Sequence, residues 1–224
     1  MKLSTDGNPS SSTYNPHDTS LLESLPVEIL LRVIAHVGTR DPIKNLTPLT
    51  KVNRRFRRLT YDRLVWSAVE YLDIPTDVTE ERAVDILQRC VQLKELKTVD
   101  PNLASRAVPA LGSHLTSIRL GFFEDGPALF ILLRFMSWKT CRVTSLHLES
   151  CLLLELAIKR SPKAFEKLRR LALHNVPCNG RLLALMGKHC INLVDLEFDC
   201  PFDLRLESKE TMGKIMHSTS KVRL

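Results

Sequence analysis

The sequence predicts an α/β fold in two parts: a small N-terminal helical module, then a solenoid of strand–helix units that curves as a right-handed arc. Three observations predict it. Between Leu25 and Trp66, short apolar stripes recur at spacings of three and four behind helix-start signals. Downstream of Thr79, an apolar-x-x-apolar-x-apolar run returns six times. Residues 1–20, by contrast, are rich in Ser, Thr, Asn, Asp and Pro with almost no apolar content. Such a segment cannot offset the entropy of ordering, so a disordered tail is expected there. The expected layout is a tail over 1–20, a helical module over 21–72, and repeats over 79–224: about five, with a sixth truncated at the C-terminus.

The module reads as three helices. Pro26 suits the first turn of a helix, where its missing N–H costs nothing, and Leu30, Val33, Ile34 and Val37 follow as one stripe. Asp41-Pro42 and Thr47-Pro48 repeat the start signal, and the second apolar set is Leu46, Leu49, Val52, Phe56 and Leu59. After Tyr61 and Asp62, a third helix presents Leu64, Trp66, Ala68, Val69 and Leu72. So small a unit cannot bury this many large apolar groups alone, which implies that part of its surface meets a partner.

These residues resemble the F-box family. The resemblance lies in Leu25-Pro26, Glu28-Ile29-Leu30, Ile34, Leu46, Leu49, Val52, the basic stretch Asn53 to Arg58, Leu59, Leu64 and Trp66. Asn53 stands where the family commonly has cysteine, and Phe56 where it commonly has tryptophan. The resemblance implies docking onto a Skp-family adaptor, and through it a cullin scaffold, in a ubiquitin ligase whose F-box subunit selects a protein substrate and carries no catalytic residue. Carried over position by position, the adaptor-binding residues are Leu25, Pro26, Glu28, Ile29, Leu30, Ile34, Leu46, Leu49, Val52, Leu64 and Trp66. Taken singly, each apolar one also reads as ordinary three-helix core. The group Arg54, Arg55, Arg57 and Arg58 raises nucleic-acid binding, which would weaken steeply with salt, but on a helix such a group is more often a solvated face.

The repeat motifs are Leu93-x-x-Leu96-x-Thr98, Leu115-x-x-Ile118-x-Leu120, Val143-x-x-Leu146-x-Leu148, Leu168-x-x-Leu171-x-Leu173, Leu193-x-x-Leu196-x-Phe198 and Thr219-x-x-Val222-x-Leu224. Their central residues lie 22, 28, 25, 25 and 26 positions apart, the range of leucine-rich repeats. Each strand sends its apolar residues inward, the following helix supplies the other wall, and neighbours close the layer. Helices are expected over Glu81–Cys90, Ala104–Leu111, Ala128–Met136, Leu152–Ile158, Leu182–His189 and Lys209–Met216. Cys90 and Cys190 each stand three residues before a motif, and Cys151 follows one, as in the cysteine-containing subclass of these repeats that this resembles, a subclass that commonly follows an F-box. In that architecture the polar position between the last two strand leucines faces the concave surface. Here that is Lys97, Arg119, His147, Ala172 and Glu197, a face expected to be basic first and acidic later. The last motif stops at the terminus, so a truncated product, or a partner over the last layer, is expected.

Other functions find little support. With 44% hydrophobic and 25% charged residues, the composition is that of a globular protein, and the longest apolar run, Ala128 to Leu133, is too short to span a bilayer. Six cysteines without a secretory segment or a C-x-x-C pair read as free thiols. His174 with Cys178, and His189 with Cys190, lack the second ligand pair of a zinc site. No phosphate-binding glycine loop, dinucleotide fingerprint, metalloprotease or serine-hydrolase motif is present, so neither cofactor nor catalysis is expected. The net charge of +7 is scattered and only mildly favours acidic partners. The expectation is a cytoplasmic or nuclear substrate receptor, the alternative being a scaffold or inhibitor that binds without ubiquitin transfer.

Overall fold

The computed structural model describes residues 22, 24–39, 41–111, 113–121 and 126–199, and the backbone of 221–223. The expected tail and the expected Lys209–Met216 helix lie outside these residues. Among the described residues four helices come first: α1 (Val27–Gly38), α2 (Pro42–Leu49), α3 (Arg54–Thr60) and α4 (Arg63–Ser67). Their starts are set by local chemistry. The Asp41 carboxylate accepts the Lys44 N–H at 3.2 Å, the Asn53 side chain accepts the Phe56 N–H at 2.8 Å, and Asp62 accepts the Leu64 N–H at 2.9 Å. Thr47-Pro48 starts no helix. Pro48 lies inside α2, one residue from its end, and Val52 falls in the connection to α3.

Between residues 71 and 199 successive strands are separated by one or two helices, and a further strand lies at 221–223. In order they are β1 (Tyr71–Ile74), α5 (Glu80–Arg89), β2 (Glu95–Thr98), α6 (Pro101–Leu111), β3 (Ser117–Leu120), α7 (Gly126–Met136) and β4 (Ser145–Glu149). There follow α8 (Leu154–Arg160), α9 (Pro162–Glu166), β5 (Arg170–His174), α10 (Gly180–His189), β6 (Asp195–Asp199) and β7 (Lys221–Arg223). The strands form one parallel sheet in sequential order, β1 to β7. Their register aligns Leu72, Leu96, Ile118, Leu146, Leu171, Leu196 and Val222, which are the central residues of the repeat motifs preceded by one further member.

That further member corrects the sequence expectation. Leu72 is not on a third helix: α4 ends at Ser67, and Leu72 is the fully buried centre of β1. The sheet thus begins inside the span 21–72. The helix after β4 also begins two residues later than expected, leaving Leu152 exposed before it, and α9 is an additional short turn.

Helical module and sheet share one core that runs without a break from Leu30 to Phe198. At the junction α2 packs on β1 and α4 on α5. The buried Trp66 indole donates to the Thr60 carbonyl at 2.7 Å. Arg89 of α5 is ion-paired to Asp85 at 2.8 Å and donates to the Tyr61 carbonyl. Five cysteines, Cys90, Cys141, Cys151, Cys178 and Cys190, are buried free thiols. Among the described residues no helix is long and apolar enough to cross a membrane.

Candidate functional site

Two surfaces carry the chemistry. On the helical module, α1 has apolar side chains nearly all round and can turn only one side inward. Leu30 and Ile34 are buried, while Ile29, Val33 and Val37, at successive four-residue steps, are 42%, 42% and 41% exposed. Val52 and Leu64, 59% and 64% exposed, are further exposed apolar residues of the helical region. The residues expected to bind an adaptor therefore divide. Pro26, Glu28, Ile29, Val52 and Leu64 are exposed, and Leu25 and Leu49 are half-buried. Leu30, Ile34, Leu46 and Trp66 are in the core and support that surface rather than form it. Val27 is exposed as well, and the stripe Leu30, Val33, Ile34 and Val37 divides between core and surface. The basic stretch is partly structural: Arg55 donates to the Leu25 carbonyl at 2.8 Å and Arg57 to the Thr50 carbonyl at 3.1 Å, tying α3 to its neighbours.

The second surface is the outward face of the sheet. Strand alternation puts two rows of side chains there. One runs Tyr71, Glu95, Ser117, Ser145, Arg170, Asp195; the other runs Asp73, Lys97, Arg119, His147, Ala172, Glu197. All five expected concave-face residues stand in the second row, side by side. Ala172 is buried beneath its larger neighbours, so it shapes the face without offering a contact.

The expected charge gradient is not present, because acids on adjacent strands neutralise the bases. Lys97 pairs with Asp73 at 2.6 Å, Arg119 pairs with Glu95, and Arg170 lies 3.4 Å from Asp195 and 3.2 Å from Glu197. The hydrogen bond that Lys97 donates to the Asp73 carboxylate holds its ammonium above its ordinary range. Asp73 and Glu95 lie outside the sequence expectation, in which Leu72 closes a helix and each strand contributes one outward residue; period-two alternation carries the signal.

A groove of about 800 Å³ runs where α2 faces the C-terminal ends of β1 to β4, with Ile43, Lys44, Asp77, Lys97, Arg119 and His147 in its walls. Its size is that of a ligand or peptide cleft. Beyond it, Ser150 and Asn175 take left-handed backbone conformations at equivalent places after β4 and β5 (φ 56° and 51°), and the Asn175 amide donates to the Ser150 hydroxyl at 2.9 Å. No group of three His, Cys, Asp or Glu side chains among the described residues could hold a metal ion.

Residues 22–70 match the F-box-like family. The match ends one residue before β1, so it covers the four helices and none of the sheet. The chain thus has a helical F-box-like region followed by an α/β region with a parallel sheet, which supports an F-box protein and suggests adaptor binding of the Skp-cullin-F-box type. F-box domains typically bind Skp-family adaptors. No characterised protein matches the chain significantly.

Proposed function

We propose that this protein is the substrate-recognition subunit of a Skp-cullin-F-box ubiquitin ligase. The helical region docks on a Skp-family adaptor, and the strand–helix region, a leucine-rich-repeat solenoid, holds a protein target. The observation that carries the reading is the exposed row Ile29, Val33 and Val37 on a domain that matches the F-box-like family. Three β-branched side chains left in water on one helix face are the mark of an incomplete layer that a partner closes. The repeat reading draws support from the 22- to 28-residue spacing of motifs whose strands pair in sequential parallel order.

The protein itself carries no catalytic residue in this reading. Its mechanism is proximity: a target bound on the outward face or in the groove under α2 is held at a fixed place relative to the ligase, which raises the effective concentration of the target lysine. The continuous core between the helices and the sheet supplies the rigidity this needs. Free cysteines suit the reducing cytoplasm or nucleus, where such a ligase acts.

The test is co-purification of the full chain with a Skp-family adaptor, beside Ile29→Asp and Val33→Asp. Both sites are exposed, so helix content by circular dichroism is retained while the apolar face gains charge. Adaptor capture by the natural chain and its loss in the folded variants is the expected result. Equal capture by all three, or none by the natural chain, overturns the reading.

A further inference from the structure

Two imidazoles stack on the outward face where β4 meets β5. His147 lies in the second row of β4, and His174 lies one step nearer the strand ends on β5; their ring centroids are 4.4 Å apart and their planes 15° from parallel. From β3 Arg119 faces the pair, from β4 Glu149, and from β6 Glu197 and Asp199; Asp41 and Lys44 at the start of α2 line the groove that His147 enters.

In the tautomer that donates to Asp199, whose carboxylate lies 3.4 Å from the His174 Nδ1, the hydrogen is on Nδ1. The free lone pair is then on Nε2, which is buried and has no hydrogen-bond partner among the described residues. A proton arriving at Nε2 would create a buried N–H without an acceptor, pressed against a second basic ring. Turning out of the stack would give that N–H water as its acceptor.

We propose that His147 and His174 form a proton-responsive contact, stacked while both rings are neutral and opened on acidification. Burial, then His174, then Arg119 hold His147 below the ordinary histidine range. Opening adds positive charge at the β4–β5 end of the groove and uncovers Ala172. The consequence for target binding rests on the reading of this face as the recognition surface; the titration itself does not.

The experiment is a carbon–proton NMR titration of the imidazole side chains in the full chain, across about pH 5 to 8, for the natural sequence and H174Q. Glutamine keeps bulk over the partner ring while removing its charge. The expected result has two parts. His147 titrates with a midpoint below 6.5, and the midpoint rises in H174Q. Its ring protons also lose the ring-current displacement of the stack as acid is added. Should H174Q fail to fold, the natural chain carries the test alone: a His147 ring-current displacement that persists through its titration overturns the proposal. An ordinary His147 midpoint, or one indifferent to H174Q, overturns the proposal. No partner is needed, so this outcome stands apart from adaptor capture: either result can fail alone.

Discussion

The helical region and the sheet use the same aliphatic residues in opposite ways. Every strand from β1 to β6 hides its central leucine or isoleucine almost completely, because the next strand and the crossing helix close each layer. The helical region hides Leu30, Ile34, Leu46, Val65 and Trp66 but leaves Ile29, Val33, Val37, Val52 and Leu64 in water. The composition of the two regions does not explain the difference. Closure does: a stacked unit has a neighbour on either side, whereas a four-helix unit with one face on β1 has an unmatched face opposite.

The largest break in this comparison is expected at the junction. Trp66→Ala removes a buried indole and orphans the Thr60 carbonyl, at an expected cost of about 3–5 kcal/mol. Because one core spans both regions, urea unfolding followed by tryptophan fluorescence and by circular dichroism is expected to shift as a single transition. A helical region that melts alone would separate what the continuous core joins. Next in size is a matched pair. Leu146→Ala, at a fully buried position in the middle of the sheet, is expected to cost about 2–5 kcal/mol. Leu64→Ala, 64% exposed, is expected to stay within about 0.5 kcal/mol. Similar losses in the two would mean that the helical surface is already closed within the monomer.

Much of this was legible in the sequence, and the misses have physical causes. Strands β2 to β6 could be placed because leucines at the spacing of the motif recur between helical stretches, and the register of Lys97, Arg119, His147, Ala172 and Glu197 followed directly. Strand β1 could not, because Leu64, Val69 and Leu72 read as a continued helical stripe and four residues are too few for period two to show. What makes Tyr71–Ile74 a strand is β2 beside it, a tertiary cause. The sorting of α1 into core and surface was likewise hidden: a helix apolar nearly all round contains two candidate stripes, and only packing chooses between them.

The cysteines sharpen the comparison on the sheet side. Burial pushes the Cys90 and Cys190 thiols from 9.0 to about 12. Below pH 9.0 both folded and unfolded chains keep the proton, so these groups leave stability flat; above it the unfolded chain releases a proton that the folded chain retains, and stability falls toward pH 12. Urea midpoints of the natural chain and of a Cys90→Ala, Cys190→Ala variant, taken at pH 8 and about pH 10, are expected to show a steeper alkaline loss in the natural chain. Smaller again is Asn53→Ala. It deletes the side-chain cap of α3, with an expected loss of about 1 kcal/mol measured by thermal unfolding.

A small effect is also expected on the outward face. Asp73→Asn removes the partner of Lys97, but the two side chains are 32% and 49% exposed, and such pairs contribute about 0.2–1 kcal/mol that salt screens further. Thermal unfolding at low and high salt is expected to bring the variant and the natural chain together as salt rises. A persistent gap at high salt would mean that the pair acts through packing or hydrogen bonding rather than charge. The physical reason for expecting so little is that each layer is already closed by leucines on the other side of the strand. Every charged or polar residue in the outward rows can then change without opening the core, whereas no aligned leucine can. A parallel sheet built this way lets its outward face vary while its fold stays constant, and the unmatched face of the helical region lacks that freedom if a fixed adaptor must close it.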